Sequence, residues 1–415
     1  MQREQGGRKH GGVLGRLALL LALCLGGLGG GLAQPRAASA APTIVEYTNG
    51  AYDSRSSSGQ PVAGPDGAIW FLTGGSTGRA LARVTGDGTV AEYPLPSGTI
   101  LAKRAFTLGP DNAFWTILAE GGGSKVVGVT TAGVVSQYAT PNPQVALTDL
   151  VPGADGALWF TQGQRIVRVS TTGAFTEYTL PDGQAQSLVA GPDGALWFTL
   201  ANLSTFGYNA VGRITTAGAI TQYPLANAEG FPYSTVDDPR DIVAGPDGAL
   251  WFRMGDGGGA KIGRITTAGV PTEFAIPGTD IVGPLVPGPD GALWFTRFTS
   301  IGRITSGGAF TAYPVDRQDT QAGPEHLTVG PDGALWFNLG PLYLGKLTTS
   351  GTVSHYPNPG AVTVDGLVGG ADGAIWYTAG GNSIRRITTA GAVTAFPLPR
   401  GFEPGQLVSG PDGAL

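Results

Sequence analysis

The chain has 415 residues, of which 41% are hydrophobic and 13% charged, which is too apolar for a disordered protein and long enough to bury a large core. Its 70 glycines follow no three-residue period and come with eight tryptophans, which excludes collagen-like and low-complexity chains and points to turn-rich all-β structure. The formal charge is −5; without the first 40 residues, which hold five basic residues and one acid, 20 basic residues stand against 29 acidic ones, a net −9. No basic face is available for nucleic acid, so none is expected as a partner.

At the N-terminus, Arg3, Arg8, Lys9 and Arg16 precede an apolar run over residues 17–25, and Ala38-Ser39-Ala40 offers a small-residue cleavage site. This is the pattern of an export signal. Residues 1–40 are expected to be removed, leaving residues 41–415 as a secreted or extracytoplasmic domain. Glycines from Gly26 onward end the apolar run well short of a membrane span, so an uncleaved anchor is the weaker alternative and no span is expected after cleavage. Cys24, the only cysteine, lies within the signal and follows Leu23, too large for a lipoprotein processing site. The domain is therefore expected to lack disulfides, thiol nucleophiles and thiolate metal sites.

Residues 43–48, Thr-Ile-Val-Glu-Tyr-Thr, read as a strand standing before any complete repeat. From there a repeat dominates. The string Gly64-Pro65-Asp66-Gly67-Ala68-Ile69-Trp70-Phe71 recurs with aspartates at 66, 111, 155, 193, 247, 290, 332, 372 and 412, spaced by 45, 44, 38, 54, 43, 42, 40 and 40 residues. All eight tryptophans follow such an aspartate by four residues, so they are read as scaffold.

Each unit holds four short strands. A first run such as Asp241-Ile242-Val243-Ala244 turns at Pro-Asp-Gly, where Asp and Gly tolerate the positive φ of a tight hairpin, into a second strand carrying Trp-Phe. A variable loop leads to a third strand such as Gly212-Arg213-Ile214-Thr215, and a Thr-Ala-Gly turn to a fourth that ends in proline at the sheet edge. Four strands per unit of this length describe a propeller blade. The expected fold is an all-β propeller of seven or eight four-stranded blades in a closed ring, with residues 43–48 placed to close it. The chain ends inside a ninth repeat, one residue before its tryptophan, and reads as truncated there.

The short turns lie on one face of the disc and the variable connections on the other, so a ligand site is expected on the variable face. Around its central mouth the first strands begin with Arg104, Asp149, Arg240, Asp241, Glu325, His326 and Asp365, a mixed-charge ring. Insertions at 201–210 and 226–238 add Phe206, Tyr208, Phe231 and Tyr233, with Asp237 and Asp238, as a lid or an apolar wall. The glycine-rich loops 121–125 and 255–259 lack phosphate-loop spacing and a following helix, and His355 lies on an outer strand with no ligating companion.

The strings GPDGALWFT and GRITTAGA-type segments resemble the virginiamycin B lyase family across nearly all of residues 43–415. The resemblance implies a propeller whose best-known activity opens a cyclic depsipeptide by elimination at its ester, using magnesium, a histidine base in a Glu-Pro-His-Gly-Ile context, and glutamates in that motif and just after a Trp-Phe pair. The nearest match is Gly323-Pro324-Glu325-His326-Leu327, with Glu325 at the histidine register and His326 one step on, which strict strand alternation turns to the opposite face. None of the eight tryptophan segments is followed by glutamate at the implied position. The expected function is thus an exported scaffold binding a small molecule, peptide or cell-envelope ligand without a required cofactor. The alternative is a divergent magnesium-dependent lyase with His326 and Glu325 as catalytic residues, and with Arg104, Asp149, Arg240, Asp241, Asp365, Tyr208 and Tyr233 around the ligand.

Overall fold

The computed structural model describes residues 45–46, 62–63, 65–75, 78–85, 89–97, 99–100, 106–120, 123–142, 145, 147–201, 210–225, 239–254, 261–278, 283–317, 322–370, 372–380 and 383–397. All regular structure among them is strand, in eight successive antiparallel sheets that are the blades of a propeller. Within a blade the strands lie side by side in chain order, as in Leu147–Pro152, Ala157–Gln162, Arg165–Ser170 and Phe175–Thr179 of the third. The first strands approach one another from blade to blade, Leu147–Pro152 against Gln184–Ala190 and that against Arg240–Ala244, so they are the innermost. Among the described residues no helix is long and apolar enough to cross a membrane; residues 1–40, with the export signal read there, lie outside the described residues.

The repeat string explains the blade. In the fourth, Gly194 adopts φ 74° at the Pro-Asp-Gly turn, and Asp193 fastens three segments. Its Oδ1 accepts from Trp197 Nε1 at 3.0 Å and from the Ala195 N–H at 3.3 Å, while Oδ2 accepts from Arg213 Nε at 2.7 Å on the third strand. The guanidinium lies over the indole, 5.9 Å from its centroid. Equivalent sets recur at Asp66, Asp155, Asp247 and Asp290. Burial alone would raise each carboxyl, but the indole and guanidinium hydrogen bonds, with the cation's charge, outweigh it and hold these aspartates below the ordinary value.

Tryptophan and the residue after it face opposite neighbours, as a period of two requires. Trp336 packs with Ile375 and Leu367 of the eighth blade, whereas Phe337 packs with Trp294 of the sixth. Each blade is thereby wedged between two others. The fourth-strand aromatic completes the joint: Tyr138 stacks on Trp115 and covers the next blade's turn at Gly173, where φ is 87° and a Cβ would come within 2.1 Å of the Tyr138 ring. Each fully buried tryptophan contributes about 4–6 kcal/mol of apolar burial before entropy is subtracted.

The ring closes with eight blades, because Ile69, Phe71, Ala82 and Val84 of the first share a core with Val368, Ile375 and Ile387 of the eighth. It does so without strand exchange. Val45–Glu46 pairs in parallel with Val393–Pro397, as a fifth strand outside a blade that already has four of its own. The closing role expected of residues 43–48 fails because the last repeat supplies its own outer strand.

Candidate functional site

Each first strand begins at the variable face, where the chain arrives from the previous blade's outer strand. Among the described residues this beginning is bulged in five blades. Pairing shifts between Thr148 and Leu150, Ala185 and Ser187, Arg240 and Val243, Glu325 and Thr328, and Val364 and Leu367. In three of these blades a bulge residue takes a left-handed conformation: Asp149 at φ 39°, Asp241 at 52° and His326 at 50°. All three stand six residues before a turn aspartate. Aspartate reaches this region because its short polar side chain hydrogen-bonds locally, and strain of this kind gathers at functional sites.

The bulge corrects one sequence inference. A bulge sets two residues of one strand against one of its partner and bends the strand. Strict alternation therefore no longer places His326 on the face opposite Glu325.

The described mouth residues stand near the starts of their first strands and are not gathered into one cluster. Asp149 is buried, and its carboxylate accepts from the Leu188 N–H of the next blade at 2.9 Å, tying two innermost strands together. Arg240 is exposed and stands in register with Arg253. Arg253 donates from Nε to Asp241 Oδ2 at 2.8 Å and also from Nη2, so one guanidinium holds the Asp241 carboxylate. Glu325 is exposed and His326 half-buried on the seventh blade. Asp365 lies in the first strand of the eighth, Val364–Gly369. Arg104, Tyr208 and Tyr233, with the insertion residues 202–209 and 226–238, lie outside the described residues.

Sequence reasoning missed a deeper tier of polar residues. Directly after the tryptophan and its aromatic neighbour, blades three to eight carry Thr161, Thr199, Arg253, Thr296, Asn338 and Thr378. All but Arg253 are buried at 0–3% exposure. They back the mouth: Thr161 hydrogen-bonds Thr148, Asn338 is in register with Glu325, and Thr296 Oγ1 abuts Gly283. Among the described residues Thr199 Oγ1, Thr296 Oγ1 and Asn338 Oδ1 are buried without a protein partner, and such atoms in folded proteins are met by water or a ligand. The signal was a polar residue recurring within an otherwise apolar strand.

These donors do not fit the magnesium that the family resemblance implies. A hard divalent cation takes carboxylate oxygens. Around the Trp-Phe register the mouth instead carries hydroxyls, one amide and the Arg253 cation, and no three His, Cys, Asp or Glu come together at ligating spacing among the described residues.

Residues 234–415 match the model of the Virginiamycin B lyase family. Among solved structures, virginiamycin B lyase from Staphylococcus aureus, as the selenomethionine-substituted protein, is 29% identical with a TM-score of 0.51, covering 71% of this chain and 93% of that one. A catalytically inactive variant of that lyase with Quinupristin is 28% identical with a TM-score of 0.51, covering 73% and 99%. A dihydro-heme d1 dehydrogenase shares the fold at 13% identity and a TM-score of 0.59, over 81% of this chain and 74% of that one. No curated protein matches the sequence.

Proposed function

We propose that this chain, a virginiamycin B lyase-like β-propeller, is an exported ligand-binding scaffold that receives a small molecule, a peptide or a cell-envelope ligand in the mouth of its variable face. The observation that carries this reading is the replacement of metal-holding carboxylates by neutral donors and a cation: Thr161, Thr199, Thr296, Asn338 and Thr378, with Arg253 paired to Asp241. Hydroxyls and an amide suit hydrogen bonds to an uncharged polar ligand, and Arg240 with Arg253 beside Asp241 adds an oriented charge pair. The export-signal pattern read over residues 1–40 supports a location outside the cytoplasm.

A second reading is favoured by one feature, the left-handed bulge at His326. With alternation broken there, the imidazole remains a candidate base beside Glu325, which is the divergent-lyase reading. Turnover separates the two. Incubation of the chain with quinupristin and magnesium, followed by chromatography and mass spectrometry, is expected to return intact antibiotic. A linear isomeric product formed by the wild type and abolished in His326→Ala would establish the lyase.

A further inference from the structure

In four consecutive blades an aromatic ring on the second strand faces a glycine on the third: Phe198 and Gly212, Phe252 and Gly263, Phe295 and Gly302, Phe337 and Gly345. The eighth blade departs at both positions together, setting Tyr377 against Arg385. Tyr377 is fully buried, and its hydroxyl donates to Asn358 Oδ1 at 3.3 Å. Arg385, half-buried, donates from Nη1 to the same oxygen at 3.0 Å and to the Pro359 carbonyl. Asn358 is itself buried and fixed by donating from Nδ2 to the Pro341 and Val362 carbonyls, both at 2.8 Å. Burial pushes the Tyr377 phenol up to about 12, against the pull of Arg385, so it stays neutral.

The cluster therefore holds one formal charge and no counter-charge. Among the described residues Arg385 makes no ion pair, its hydrogen bonds going to the Asn358 amide and Pro359 carbonyl oxygens, and its Nε is buried with no partner. Its acceptors are neutral oxygens, which are weaker partners than a carboxylate and leave the charge uncompensated. The segment it holds, 358–363, is the connection into the eighth blade and so belongs to the variable face. There Gly360, at φ 77°, leaves its side-chain position empty, 3.7 Å from Arg385 Nη2.

We propose that Arg385 anchors a carboxylate subsite on the variable face between the seventh and eighth blades, in which the carboxylate of a small molecule or peptide supplies the missing counter-charge. The subsite rests on the reading that the variable face receives the ligand, and it is independent of the mouth residues. The planar fork of a guanidinium matches the two oxygens of a carboxylate, which chloride cannot imitate.

The test is thermal unfolding of the full chain in sodium acetate against sodium chloride at equal ionic strength. The wild type is expected to gain about 1–3 °C in Tm at a tenfold excess over the dissociation constant. The double variant Tyr377→Phe, Arg385→Gly restores the pair used in four other blades, so it removes the cation from a joint the fold already tolerates. It is expected to fold and to lose the acetate response, and Arg385→Lys to weaken it. A wild type no more responsive to acetate than to chloride, or a double variant that keeps the full response, would overturn the subsite. Neither result touches the mouth reading, which is scored by the fate of quinupristin.

Discussion

Asp193→Ala removes the fastening of the fourth blade at a turn remote from the mouth. Trp197 is fully buried, and its indole N–H donates to Asp193 Oδ1 at 3.0 Å. Deleting the acceptor leaves a buried donor unmet, which costs about 1–3 kcal/mol. The Arg213 bond at 2.7 Å joins side chains that are 23% and 18% exposed, so solvent screening limits its share to about 1 kcal/mol or less. The expected loss is about 1–4 kcal/mol. The second blade supplies the control, because Asp111 accepts from Trp115 Nε1 at 3.0 Å while Gly128 occupies the place of the arginine. Asp111→Ala is then expected to cost about 1–3 kcal/mol, less than Asp193→Ala by the share of the cation. Urea unfolding followed by tryptophan fluorescence measures both, with unchanged m-values. A cost within about 0.5 kcal/mol of zero for either variant, or a larger cost for Asp111→Ala, would refute the reasoning.

Further outcomes follow from the same packing. Gly345→Ala places a Cβ 2.1 Å from the Phe337 ring and should destabilise by about 1–3 kcal/mol in the same urea assay, whereas an unchanged midpoint would mean the ring does not lie against the third strand of its blade there. Stability should fall in acid. The aspartates at 66, 155, 193, 247, 290 and 332 are held below their ordinary value, so their contribution is complete above that value and is lost as pH drops through the lowered one. Glu92 and Glu273, pushed up by burial, act in the opposite sense but are fewer. Urea midpoints at about pH 3 should therefore lie below those at pH 6, and the reverse order would contradict the assignment. His326→Ala should leave the Tm near wild type, measured by scanning calorimetry, because the half-buried imidazole takes no part in the Asp-Trp-Arg fastening of the blades, and a large drop in Tm would contradict this.

The propeller was legible because each repeat writes its own blade: the aspartate, tryptophan and turn glycine recur with the spacing of four strands, and the side-chain period of two sends Trp336 and Phe337 to different neighbours. The bulges at Asp149, Asp241 and His326 were hidden, since an extra residue in a strand leaves the apolar pattern around it intact. The recurrence of aspartate six residues before the turn was the available hint. The tier from Thr161 to Thr378 and the Tyr377–Arg385 exchange were present in the repeats too. Their meaning depended on cross-strand register, which spacing alone does not supply. Residues 43–48 look like any outer strand, and only the complete eighth blade shows why they cannot take that place.

The measurement that bears most directly on the account is the fate of quinupristin incubated with the folded chain and magnesium, resolved by chromatography and mass spectrometry against a magnesium-free control. A mouth backed at the Trp-Phe register by hydroxyls, an amide and the Asp241-paired Arg253 predicts intact antibiotic in both samples. Magnesium-dependent appearance of the linear isomeric product would contradict it.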